Sequence, residues 1–105
     1  MENLDTTFAA LSDGTRRAIL AQLMQGETRL SDLAAPFDMT QTAVSKHVRV
    51  LSESGLLIVE KRGRTRHCRL NAEPMKMAID YLQDYQAFWT HQLDNLAQHF
   101  ANEKE

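Results

Sequence analysis

Between Thr40 and Gly55 the run TQTAVSKHVRVLSESG gathers Gln41, Thr42, Ser45, Lys46 and Arg49, side chains that exchange hydrogen bonds or carry positive charge. At helical spacing Thr42, Lys46, Arg49 and Glu53 recur along one side, with Gln41 and Ser45 beside them near the start. Amides and small hydroxyls at a helix N-terminus can hydrogen-bond base edges in a major groove, while Lys and Arg further along can meet phosphates. The chemistry on offer is therefore recognition. For catalysis the chain supplies no phosphate loop, no nucleophile with a nearby base and no acidic pair in a defined motif.

A second cationic group follows at once. KRGRTR, from Lys61 to Arg66, sets Lys61, Arg62, Arg64 and Arg66 around Gly63. From Gln41 to Arg69 seven basic residues (Lys46, Arg49, Lys61, Arg62, Arg64, Arg66, Arg69) face two acids (Glu53, Glu60), a balance of +5 in a chain whose net charge is −2. Segregation of this kind puts a positive patch on one side, and the patch rather than the total attracts phosphate. The bland reading is a solvated basic loop with no partner.

These residues need a scaffold. Val44, Val48 and Leu51 fall at i, i+4, i+7 on the other side of the same helix and must pack on something. Thr40 is placed to cap its start, and Gly55 to let it end left-handed. Beyond it, Leu56 to Glu60 is apolar and β-branched enough for a strand, and His67 to Leu70 can pair with it, making KRGRTR the tip of a basic hairpin. Upstream, Leu4, Phe8 and Leu11 stripe a short helix from Asn3 to Leu11. After the break Ser12-Asp13-Gly14-Thr15, a second helix points Ile19, Leu20, Leu23 and Met24 inward and stops at Gly26. Leu30, Leu33, Ala34 and Phe37 predict a third helix of roughly two turns, begun by Ser31 or Asp32 and cut short at Pro36. A short helix, a tight connection and a helix with a polar outer face is a helix-turn-helix arrangement.

From Pro74 to about Ala101 the sequence reads as one long helix with Met75, Ile79, Leu82, Trp89, Leu93, Leu96 and Phe100 on a stripe, Tyr85 filling the gap at Gln86. About seven turns exceed what so small a domain can cover, so part of the stripe is expected in the core and part against a second chain. Phe88 and Trp89 would place one aromatic on each side, and with Tyr81 and Tyr85 could line a small organic-ligand pocket or simply pack. At 105 residues and 43% hydrophobic content, one domain spanning 1–105 is expected. No apolar run reaches bilayer length and MENLDTTF lacks the features of a signal peptide, so the cytoplasm is the expected location. The single cysteine, Cys68, excludes an intrachain disulfide. Cys68 is either an inert strand filler or, beside Arg66, His67 and Arg69, a reactive thiol. His47, at the edge of the apolar stripe, is open to packing or to phosphate donation.

The layout resembles the ArsR/SmtB family of winged-helix bacterial transcription regulators over nearly the whole chain. ALSDGTRRAILAQL, Ala10 to Leu23, is similar to the family's second-helix signature, and MTQTAVSKHVRVLSESGLL, Met39 to Leu57, to its recognition-helix signature. The resemblance implies a mainly α winged helix-turn-helix fold of about five helices and two strands. It also implies a homodimer joined through the first and last helices, with Leu4, Phe8, Leu11, Ile79, Leu82, Tyr85, Trp89, Leu93, Leu96 and Phe100 at the interface. Such a dimer would bind a near-palindromic operator in double-stranded DNA and leave it when an effector arrives. The matching DNA contacts are Gln41, Thr42, Ser45, Lys46 and Arg49, with Lys61, Arg62, Arg64 and Arg66 on the backbone. The alternative is a winged-helix interaction module or antirepressor that does not bind DNA; it calls for an uncharged wing and an apolar recognition face.

The family's metal motifs do not carry over. Where arsenic- and cadmium-type sensors have Glu-Leu-Cys-Val-Cys-Asp-Leu, this chain has Glu27-Thr28-Arg29-Leu30-Ser31-Asp32-Leu33, with Arg29 and Ser31 in place of the thiolates. The last helix offers Asp84, His91, Asp94, His99 and Glu103, without the Asp-x-His or His-x-x-Glu spacing of the zinc-type sensors. His91 and Asp94, at i, i+3, read as a solvated charged pair. No cofactor and no metal site is expected, and any effector would be a small molecule of another kind.

Overall fold

The computed structural model describes residues 4–103, so the expected start of the first helix at Asn3 lies outside the described residues. Helix α1 (Leu4–Leu11) and helix α2 (Gly14–Leu23) meet at a joint built from short-range hydrogen bonds. The Asp13 carboxylate accepts the Arg16 N–H at 3.0 Å and starts α2. In return Arg16 donates to the carbonyls of Ala10 (2.7 Å) and Ala9 (3.1 Å), and Arg17 to that of Leu11 (2.7 Å). Carbonyls at a helix C-terminus have no intrahelical partner, and two guanidinium groups satisfy them here. The run Asp13-Gly14-Thr15-Arg16-Arg17 thus caps two helices at once.

Strand β1 (Thr28–Arg29) leads directly into α3 (Leu30–Leu33); then come α4 (Gln41–Glu53), β2 (Leu57–Arg62), β3 (Thr65–Leu70) and α5 (Ala72–Glu103). The sheet is antiparallel, in the order β1-β3-β2. Two strands were expected and a third is present. Only two residues long, β1 joins the sheet through Thr28 opposite Cys68 and Arg29 opposite His67, too short a segment to leave a periodic signal. The third helix is one turn rather than two: it begins at Leu30, not at Ser31 or Asp32, and a turn follows it from Ala34. Arg29 occupies its cap position and makes no capping bond, pairing instead with Asp32 at 3.1 Å. Met24, expected inward, is 77% exposed just past the end of α2.

Ile19, Leu20 and Leu23 from α2, Leu33 from α3, Val44, Val48 and Leu51 from α4, and Leu56, Leu57 and Cys68 at the sheet form one buried cluster, joined by Ala10. Burying a side chain of this size fully is worth about 1.5–3 kcal/mol, so the three α4 residues dominate the helix's attachment. Helix α5 contributes little to the cluster: Pro74 and Ala78 are buried and Met75 packs at its edge, but every residue from Ile79 to Glu103 is exposed. The helix projects, and the radius of gyration is 18.4 Å where about 13 Å is usual for a chain of this length. Among the described residues no helix is long and apolar enough to cross a membrane.

Candidate nucleic-acid interface

Helix α4 is fixed at both ends. The Thr40 hydroxyl accepts the Ala43 N–H at 3.1 Å. At the other end Gly55 takes φ 81°, and the N–H groups of Leu56 and Gly55 return to the carbonyls of Leu51 and Ser52 at 3.0 Å each. That pair of reverse bonds is the Schellman termination, which favours glycine at the left-handed position. With Val44, Val48 and Leu51 buried, geometry leaves Gln41, Thr42, Lys46 and Arg49 exposed and Ser45 half-buried on the outer side. Arg49 reaches Glu53 one turn on, at 2.9 Å, in an ion pair exposed enough to be easily exchanged.

The hairpin sorts its cations by register. Strands extend to Arg62 and resume at Thr65, so the tip is only Gly63 and Arg64, with Gly63 at φ 61° and the Thr65 hydroxyl closing onto the Arg62 carbonyl at 2.9 Å. Side chains alternate between the two faces of a sheet. Leu57 opposite Leu70, Val59 opposite Cys68 and Lys61 opposite Arg66 therefore share the face that covers the core and looks toward α4. Glu60 opposite His67 and Arg62 opposite Thr65 share the other face. There Arg62 forms a two-pronged pair with Glu27 (2.7 and 2.9 Å) and a further bond to Glu60 (2.7 Å), which also holds Arg69 at 3.1 Å. These guanidinium groups hold the carboxyls of Glu27 and Glu60 below the usual carboxylate range.

Among the described residues, Lys46, Lys61, Arg64, Arg66 and Lys76 are the basic side chains with no ion pair or side-chain hydrogen bond. Four of the five lie on α4 or the hairpin. A cleft of about 380 Å³ joins the two elements, with Gln41 and Ser45 on one wall and Arg64, Thr65 and Arg66 on the other. Arg66 also lines the adjoining groove along Thr42, Lys46 and Arg49. Lys61 and Arg66 stand directly opposite each other, a like-charge pairing that costs stability unless an anion lies nearby. The site therefore unites the expected residues on one surface, with Arg62 turned to the far side.

Two residues, His47 and Glu27, make contacts their sequence context did not announce, and Cys68 takes the inert of its two expected roles. His47 approaches the Asp13 carboxylate at 3.6 Å, tying α4 to the cap of α2. The Asp13 carboxyl lies below its ordinary value, chiefly through the Arg16 N–H, with the charges of His47 and Arg16 adding to it. Glu27 lies 35 residues from Arg62, beyond the reach of local pattern. Cys68 is wholly buried, and burial pushes its thiol pKa up, away from the reactive thiolate. His91 and Asp94 are exposed, His99 pairs with Glu103 at 3.0 Å, and no three His, Cys, Asp or Glu side chains among the described residues are grouped to hold a metal.

Of the residues expected between subunits, Leu11 packs against the chain's own core, Leu4 is half-buried, and Phe8 meets Tyr81 edge-on at 6.0 Å. Ile79, Leu82, Tyr85, Trp89, Leu93, Leu96 and Phe100 are all open, with Leu93 62% exposed. Phe88 and Trp89 contact each other at 5.3 Å, and both are exposed.

A cationic helix-turn-helix with a basic wing defines a DNA-binding module. Residues 13–59 match the bacterial regulatory protein arsR family. The HTH-type transcriptional regulator Rv2034 of Mycobacterium tuberculosis is 35% identical over 90% of this chain and 85% of its own length. An arsenical resistance operon repressor of Bacillus subtilis is 32% identical over 70% of each chain. Among solved structures, the ArsR family transcriptional regulator RHA00566 is 37% identical, with a TM-score of 0.76 over 86% of this chain and 97% of its own. The homodimeric winged helix-turn-helix domain Mb0332 of Mycobacterium bovis is similar in fold, at 24% identity, TM-score 0.65 and coverage of 78% of this chain and 79% of its own. The chain belongs to the ArsR family of bacterial regulatory proteins. It is a DNA-binding transcriptional regulator and not an enzyme.

Proposed function

We propose that this regulator is a homodimeric repressor that holds a near-palindromic operator and is released by a small-molecule effector in the cytoplasm. The observation that carries the DNA-reading part is the sorting of charge: the unpaired cations Lys46, Arg64 and Arg66 line two adjoining clefts with Gln41, Thr42 and Ser45, and Lys61 stands opposite Arg66 on the same sheet face. In this reading Gln41, Thr42 and Ser45 meet base edges, while Lys46, Arg49, Lys61, Arg64 and Arg66 meet phosphates. The repressor role is supported by the relative named for it in Bacillus subtilis. Release by an effector rests on the family resemblance.

Dimerisation is supported by the bare face of α5. Leu82 and Leu96 are equally far in sequence from Trp89, as are Tyr85 and Leu93. Two α5 helices laid antiparallel about Trp89 would match apolar residues with apolar residues, as a two-fold interface requires. Phe8 extends that face from α1. Two recognition helices related by the same axis would enter successive major grooves about 34 Å apart. The test is to compare affinity for a selected operator and for random duplex as salt is raised. Arg64→Ala with Arg66→Ala should lower the salt slope by about 0.9 for each phosphate no longer neutralised. An unchanged slope would remove the wing from the interface.

A further inference from the structure

Arg62 sits in the basic hairpin yet faces away from the recognition helix. Its register partner is Thr65, on the face shared by Glu60 and His67, whereas Lys61 and Arg66 occupy the other. Both of its terminal nitrogens are engaged by Glu27, at 2.7 and 2.9 Å, and one also by Glu60. Glu27 belongs to the segment between α2 and β1, so the contact joins the outer half of the hairpin to the body of the domain. Among the described residues no backbone pairing does that job. β1 reaches only His67, leaving Arg66, Thr65 and the tip without a third strand. At the base the hairpin is secured by Leu57, Cys68 and the Asn71 side chain donating to the Gly55 carbonyl at 2.9 Å. A lone exposed ion pair is worth little, but a two-pronged Arg–carboxylate pair within a network holds a defined geometry. Here the network includes Arg69 on Glu60 and His67, 3.8 Å from Glu27.

We propose that Glu27 is a positioning residue for DNA binding: through Arg62 it sets the angle of the wing against the recognition helix, and Arg62 itself makes no phosphate contact. The inference rests on the DNA-reading surface proposed above, and it replaces the simple assignment of every wing cation to the DNA backbone. The wing then divides by face, with Lys61, Arg64 and Arg66 meeting the ligand and Arg62 and Arg69 holding the frame.

The experiment measures DNA affinity against salt concentration, together with amide hydrogen exchange of the free protein. Glu27→Gln and Arg62→Ala should each weaken binding roughly fivefold at every salt concentration, leaving the slope at the wild-type value. The double variant should be no weaker than either single one, since both remove the same ion pair. Exchange should accelerate from Lys61 to Arg66 and stay unchanged in α2 and α4. Arg66→Ala, by contrast, should flatten the slope by about 0.9. A slope that falls in Arg62→Ala as it does in Arg66→Ala would overturn the proposal, as would unchanged exchange in Glu27→Gln. Tighter binding by Glu27→Gln would also overturn it, because the carboxylate would then be restraining a cation from DNA. A wild-type protein with salt-independent affinity would remove the DNA reading and this proposal together, whereas the other outcomes touch this proposal alone.

Discussion

At the scale of single residues, what distinguishes the basic side chains is their partners. Arg16 and Arg17 cap α1, Arg29 pairs with Asp32, and Arg62 and Arg69 are held by glutamates. On α4 and the hairpin, Lys46, Lys61, Arg64 and Arg66 have no such partner among the described residues, which is why the proposed reading gives them to phosphate. Sequence alone could count these charges but not divide them, because the division depends on strand register and on Glu27. Gln41 carries a different prediction from the cations: Gln41→Ala should cost about 1–3 kcal/mol of discrimination at particular base pairs, read as a change in the selected consensus rather than in the salt slope. Equal losses on operator and random DNA would remove it from base readout. Asp13 predicts a pH effect. Its folded carboxyl is held below the ordinary value, so it contributes stability above its unfolded pKa of about 3.9, and that contribution disappears as pH falls through the folded value. Asn also caps helices but does not titrate. Between about pH 5 and pH 2 the melting temperature of wild type should therefore fall more steeply than that of Asp13→Asn; parallel curves would mean that His47 and Arg16 do not act on this carboxylate.

At the scale of elements, the best-read part of the chain is α4, where capping residue, apolar stripe and terminating glycine agree. Thr40 was expected to cap it and does so. Thr40→Ala should cost about 1 kcal/mol, and Gly55→Ala about as much or more, because alanine is strained at φ 81°; denaturant midpoints would show either loss. The helix-turn-helix and the hairpin were also legible, since each combines periodicity with a turn signal. What escaped the sequence has physical causes. β1 is two residues long and exists only because β3 offers it an edge. α3 ends after one turn because Pro36 discourages helix in the residue before it, and the chain is already turning at Ala34 and Ala35. Met24 follows the helical stripe in sequence, but α2 ends at Leu23 and the side chain is turned out. The α1–α2 joint was visible only as a break with a capping residue; that two arginines reach back to close α1 requires both helices in place.

At the scale of the molecule, the unbalanced feature is α5. Thirty-two residues make a helix about 48 Å long, and beyond Ala78 its apolar residues touch little of the domain that carries it. Leaving so many large hydrophobic side chains in water is costly at roughly 25 cal/mol per Å², and the proposed second copy would cover them. Trp89→Arg with Leu93→Glu should halve the solution mass and, because each DNA half-site would then be held by a separate chain, sharply weaken operator binding. A dimer that survives this change would place the interface elsewhere. The charge-bearing surface and the proposed dimer face lie on different elements, so the two properties can be disabled one at a time.

Both faces come together if one surface of α4 and the wing, presented twice by a dimer, reads a two-fold DNA site. Selection of bound duplexes from a random pool, run on protein whose solution mass has been determined, decides whether it does. The expected result is a dimer enriching an inverted repeat whose half-site centres lie about 10 base pairs apart, with enrichment lost in Gln41→Ala and Arg66→Ala combined. A well-folded dimer that enriches no sequence would contradict this reading and leave the winged helix as a protein-interaction module.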